Sequence, residues 1–100
     1  MIDLTCSSFA RSTNVTWRTF DGNSILLHLE SGVYYTLNPA GTLIWELLDR
    51  RVAGQELLTV LRDRYSSVEE EEARRDLVDL LEEFAREGLI SIHEHEIKDR

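Results

Sequence analysis

The stretch ILLHLESGVYYTLNPAGTLIWELL, residues 25–48, decides the architecture of this chain. Ile25, Leu27 and Leu29 alternate with Leu26, His28 and Glu30, the period of two that marks a strand. Ser31-Gly32 supplies a turn, because Gly accepts the positive φ that hairpin turns demand. Residues 33–37 (VYYTL) then form a second β-prone run containing two Tyr. Asn38-Pro39 closes it: Asn is a favoured helix N-cap, and Pro at the first helical position gives up an N–H that has no partner there. The second strand therefore runs straight into a helix. Its far edge has no assigned neighbour, and a free edge is a place to bind an extended ligand.

Upstream, VTWRTF (Val15–Phe20) reads as another strand, followed by the hairpin turn signal Asp21-Gly22-Asn23. The two hairpins make a three-stranded antiparallel meander with residues 33–37 at one edge. Three helices follow. The first spans residues 39–51, with Leu43, Ile44, Leu47 and Leu48 on its apolar face and Trp45 beside them as a core residue. The second spans residues 54–65, with Leu57, Leu58, Leu61 and Tyr65 on one side. The third has Ser66 and Ser67 as candidate N-caps, with Glu69 and Glu70 three residues on in a capping-box pattern, and Gly88 as its stop. The acidic run 69–72 lies at the positive end of that helix dipole, a structural role. On the third helix Ala73, Leu77, Leu80 and Phe84 form a stripe sufficient to face a core. Val78, Leu81, Ala85 and the stem of Arg74 form a second, flanking stripe, available to another helix or to a ligand. Leu89, Ile90 and Ile92 suggest a short extended segment. The expected fold class is α+β, winged helix-turn-helix-like, with a three-stranded antiparallel sheet followed by three helices. Residues 1–14 read as a flexible tail, 15–92 as the domain and 93–100 as a polar C-terminal tail.

One hundred residues build one modest core. The formal charge of −8 argues against nucleic acid, whose binding rests on Lys and Arg displacing counterions. No apolar run approaches the roughly 20 residues of a membrane helix, so no membrane partner is expected. The first residues lack the basic and apolar regions of a secretory signal, and a single Cys forms no internal disulfide, so a cytoplasmic location is the expectation. Cys6 reads as a plain thiol in the N-terminal tail, since a cysteine nucleophile needs a base and an ordered pocket. His93 and His95 share a strand face but offer only a poor metal site, and no metal or cofactor is expected. The carboxylates lack a pocket that would tune one for acid–base work, so the chain reads as a binding protein rather than an enzyme. The rival reading is a winged-helix DNA-binding transcriptional regulator. Its third helix opens with consecutive Glu where phosphate contacts would fall, which is the wrong sign.

The run DGNSILLHLESGVYYTLNPAGTLIWELLD, followed by the Leu-rich segment ending DRY and then EEEEARRDLVDLLEEFAREGLI, resembles the PqqD-like family of recognition elements for ribosomally made, modified peptides. The resemblance is carried by Gly32, Tyr34-Tyr35, Leu37-Asn38, Gly41, Ile44-Trp45, Leu47-Leu48, Asp76, Leu80-Leu81 and Gly88-Leu89-Ile90. It implies a protein without chemistry of its own that binds the leader segment of a precursor peptide between its third strand and third helix. The leader would add a strand to the sheet and be presented to a modifying enzyme, such as a radical S-adenosylmethionine enzyme or a leader peptidase. The contacts so implied are Val33, Tyr34, Tyr35, Thr36 and Leu37 on the strand, and Arg74, Leu77, Val78, Leu81 and Ala85 on the helix. Members dedicated to quinone-cofactor synthesis are expected to carry a Pro-Glu-Gly turn and a Trp near the end of the third helix. Here those places hold Glu30-Ser31-Gly32 and Gly88-Leu89-Ile90, which resemble the broader group that serves other peptides, lasso peptides included. An exposed edge strand also allows a homodimer.

Overall fold

Six strands and three helices follow one another in the computed structural model, which describes residues 2–94. The meander forms as the sequence predicts. β2 (Val15–Phe20), β3 (Asn23–His28) and β4 (Tyr34–Leu37) make an antiparallel sheet in the order β2-β3-β4. Asp21 and Gly22, with φ of 54° and 79°, close the first hairpin between the paired residues Phe20 and Asn23. Two successive positive φ angles match the right-handed twist of the strands, and Asp-Gly adopts them at low cost. In the second hairpin the strands stop sooner than the alternation suggests: β3 ends at His28, and residues 29–33 form the connection.

α1 (Pro39–Leu47) starts as expected. The Asn38 side-chain oxygen accepts from the Gly41 N–H at 2.8 Å, and Pro39 occupies the first turn. The helix ends at Leu47, short of residue 51, and the chain enters β5 (Val52–Ala53) before α2 (Gly54–Arg64). α3 (Glu70–Arg86) is N-capped by Glu69, whose side chain makes no capping bond. Residues 66–68 lie in the turn before it, so the capping box suggested by Ser66 and Ser67 does not form. Glu70, Glu71 and Glu72 still fill the first turn, where the dipole favours negative charge. At the other end the Gly88 and Leu89 N–H groups donate to the Ala85 and Phe84 carbonyls at 3.1 and 2.9 Å, the paired bonds of a Schellman stop.

The N-terminal residues depart from the sequence reading. The stretch expected as a flexible tail contains β1 (Ser7–Arg11), the central strand of a second antiparallel sheet in the order β5-β1-β6, where β6 is Ile90–Glu94. β6 includes His93 and Glu94, the start of the expected polar tail, and residues 95–100 lie outside the described residues. Ile2, Leu4 and Phe9 join the core, Phe9 with no exposure at all. The segment also presses on α2. A Cβ at Gly54 would stand 2.8 Å from the Leu4 carbonyl oxygen, so only glycine admits that approach.

The core lies between the sheets and the helices and centres on Trp45, which is fully buried. Its ring meets Trp17 edge-on at 5.5 Å and Phe84 at 5.9 Å. Trp45 is therefore the core residue that the sequence predicts. Arg11 of β1 donates from Nε and Nη2 to the Trp45 carbonyl at 3.1 and 2.9 Å, tying the second sheet to the end of α1. No helix among the described residues is long and apolar enough to cross a membrane.

Candidate functional site

β4 is the outer strand of its sheet, paired with β3 on one side and with no described strand on the other. The antiparallel ladder determines which of its polar groups are free. The Val33 carbonyl accepts from the His28 N–H at 3.0 Å, so residue 33 bonds toward β3. Backbone bonding alternates along a strand in such a pair. Tyr35 and Leu37, opposite Leu26 and Ser24, therefore bond inward as well. Tyr34 and Thr36 turn their N–H and C=O to the open side. Side chains alternate between the sheet faces: Tyr35 is half-buried and Leu37 buried, while Tyr34 and Thr36 are exposed.

Opposite this edge runs α3. A cleft of about 440 Å³ separates them, walled by residues 34–37 on one side and by Leu80, Glu83, Phe84 and Glu87 on the other. Asn38, Gly41 and Leu89 complete it. The Tyr35 hydroxyl donates to Glu87 Oε1 at 2.9 Å and so links the strand to the C-terminal end of the helix. That hydrogen bond, more than burial, pushes the Tyr35 pKa above the ordinary tyrosine value, so the hydroxyl remains a donor. The cleft thus offers an unpaired strand edge, an aliphatic and aromatic wall, and carboxylates. It can hold an extended backbone. Among the described residues no group of three or more His, Cys, Asp or Glu is placed to hold a metal.

The residues named from the sequence divide between two places. Tyr34, Tyr35, Thr36 and Leu37 line the cleft, and Val33 lies just before the strand, 45% exposed. The five helix positions lie elsewhere. Leu77 and Leu81 are 1% and 0% exposed and belong to the core, and Val78 and Ala85 are half-buried against it. Arg74 donates to Glu70 at 3.2 Å on the helix surface. The apolar members of the second stripe of α3 thus pack against the protein's own core. β6 packs along the helix, and the Ile2 N–H donates to Glu82 Oε2 at 3.2 Å on that flank. The cleft wall of α3 is Leu80, Glu83, Phe84 and Glu87 instead. Its signal in the sequence is a single Leu within an acidic row at helical spacing, Asp76, Asp79, Leu80, Glu83 and Glu87.

The family model described as Coenzyme PQQ synthesis protein D (PqqD) matches residues 23–90, from the start of β3 to the start of β6. The chain belongs to the PqqD family. Both walls of the cleft fall within the matched residues. Among solved structures, TbiB1 in complex with the TbiA(beta) leader peptide is 32% identical, with a TM-score of 0.74 over 82% of this chain and 94% of that one. Lasso peptide synthetase B1 complexed with the leader peptide superposes with a TM-score of 0.67 over 83% of this chain and 96% of that one. At 23% identity its likeness is one of fold. Comparison with curated proteins finds no match. The PqqD fold here carries β1 outside the matched residues, woven between β5 and β6.

Proposed function

We propose that this chain binds the leader segment of a ribosomally made precursor peptide as a fourth strand on β4 and presents it to a modifying enzyme. The observation that carries the reading is the open edge of β4 facing α3 across a cleft. It is supported by membership of the PqqD family and by 32% identity to a protein solved with a leader peptide bound. Strand addition supplies affinity through main-chain hydrogen bonds and specificity through side-chain pockets. Each main-chain bond nets only about 0.5–1.5 kcal/mol, whereas ordering a flexible leader costs about 2–5 kcal/mol. Burial of leader side chains against Leu80 and Phe84 must provide the surplus, and a complex of low-micromolar affinity or tighter is expected. The protein performs no reaction; its work is to hold the substrate for another active site.

The partner enzyme in this reading is a leader peptidase or a radical S-adenosylmethionine enzyme. The Glu30-Ser31-Gly32 turn and the Gly88-Leu89-Ile90 helix end favour a peptide pathway, such as that of a lasso peptide, over a quinone cofactor. A cytoplasmic setting goes with it, since a precursor is met where it is translated. A homodimer through the β4 edge would occupy the leader site, so that pairing and leader binding exclude one another. DNA reading is disfavoured by charge: α3 opens with Glu70, Glu71 and Glu72, where phosphate contacts would fall.

The test is amide hydrogen exchange on the protein titrated with synthetic leaders from short precursor genes adjoining its own. Exchange at Tyr34 and Thr36, whose N–H groups face the open side, slows on binding. Tyr35 and Leu37, already bonded to β3, change little. Leaders that bind without protecting Tyr34 and Thr36 would place the peptide elsewhere on the molecule.

A further inference from the structure

The helix wall of the cleft alternates carboxylates with apolar side chains, Glu83 and Glu87 with Leu80 and Phe84. Glu83 and Glu87 face β4 across the cleft, Asp76 and Asp79 continue the row at helical spacing beyond it, beside Asn38, Ala40 and Gly41, and all four are exposed. The ion pairs among the described residues are Arg50–Glu56, Arg62–Glu70 and Arg74–Glu70, and none uses these carboxylates. No Lys, Arg or His lines this groove. Resting on the leader-binding reading above, we propose that the peptide held here is a cationic strand, with Lys or Arg at alternate positions on the side that faces α3.

The spacing supports this pairing. Tyr35 meets Glu87 at one end of the groove, and Asn38 lies with Asp76 and Asp79 at the other, so β4 and α3 run alongside one another. Successive carboxylates at Asp79, Glu83 and Glu87 are four residues apart, a rise of about 6 Å per step. Alternate side chains of an extended peptide repeat every ~6.6 Å. Three consecutive helix-facing positions of the added strand therefore fall opposite three carboxylates. Leu80 and Phe84 lie between the acids and present apolar surface. Lys and Arg suit such a wall, because their methylene stems lie on apolar surface while the charged head reaches a carboxylate. A strand with Asp or Glu at the same positions meets like charge, and the chain's net charge of −8 repels it before contact.

Selection of a random library of short linear peptides displayed on phage, against the immobilised full chain, tests the proposal. The expected winners carry Lys or Arg at every second position. Replacing those residues by Gln weakens binding roughly tenfold, as three partly exposed ion pairs should. On the protein, Asp79→Asn and Glu83→Gln each weaken the selected peptide about two- to fivefold and flatten its salt dependence. Both sites are exposed, and unchanged thermal unfolding verifies that the variants fold. Winners that are neutral or acidic at alternate positions, yet protect Tyr34 and Thr36 from exchange, would overturn the charge assignment and leave strand addition standing. A selection that enriches no peptide would overturn both.

Discussion

Leu80 and Leu81 stand roughly 100° apart around α3, and that rotation separates a ligand wall from the core. Leu80 is half-buried and lines the cleft, while Leu81 has no exposure. The sequence supports the reverse assignment equally well, because Leu77, Val78, Leu80, Leu81 and Phe84 span a broad apolar arc. Which edge of the arc meets solvent depends on what covers the flank, and here the cover comes from distant parts of the chain. The two leucines make a paired experiment. Leu81→Ala removes a fully buried side chain and costs about 2–5 kcal/mol of stability, while leader affinity measured well below the melting point stays near that of the parent. Leu80→Asn retains cooperative unfolding and weakens leader binding by roughly tenfold or more, the worth of ~1.5–3 kcal/mol of lost apolar burial, without adding a charge to the acidic row. Denaturant melts and fluorescence titrations measure the two effects. The opposite pattern would return the ligand to the flank of Val78 and Leu81.

At the scale of elements, the parts legible in the sequence are those whose signal is local. The β2-β3-β4 meander shows in its alternation and in Asp21-Gly22, and the start of α1 in Asn38-Pro39. β1 has no such signal. Its sequence SSFAR offers one large apolar residue, and its place in the sheet comes from pairing with β5 and β6, some 40 and 80 positions away in the chain. The leader strand, on the reading proposed here, is an element supplied from outside, and its pairing has a backbone signature. Leader residues whose N–H faces Tyr34 and Thr36 donate to β4, and the residues between them point away. N-methylation of each residue in turn gives an alternating profile. Methylation at donating positions loses a bond and leaves a carbonyl unpaired, a cost of about 1–3 kcal/mol, and the intervening positions cost much less. A flat profile would mean side-chain docking without strand addition.

For the whole molecule, the two sheets divide the labour. The meander and α3 present the cleft, β6 of the second sheet contacts α3, and the segment leading into β1 adds the Ile2–Glu82 hydrogen bond. The family match begins at residue 23, so residues 2–11 are outside it and carry no cleft residue. They nevertheless supply the middle strand of the second sheet, three core side chains in Ile2, Leu4 and Phe9, and the Arg11 bonds that close α1. Deleting them exposes the strands β5 and β6 along their whole bonded edges and uncovers the flank of α3. The loss of Phe9 alone removes about 3–5 kcal/mol, a large part of the 5–15 kcal/mol that holds a domain of this size. A chain starting at residue 12 should therefore lose its cooperative thermal transition, and leader binding with it, although every residue that lines the cleft remains. A truncated chain that still melted cooperatively and bound leader would show the matched segment to be self-sufficient, with β1 an accessory strand.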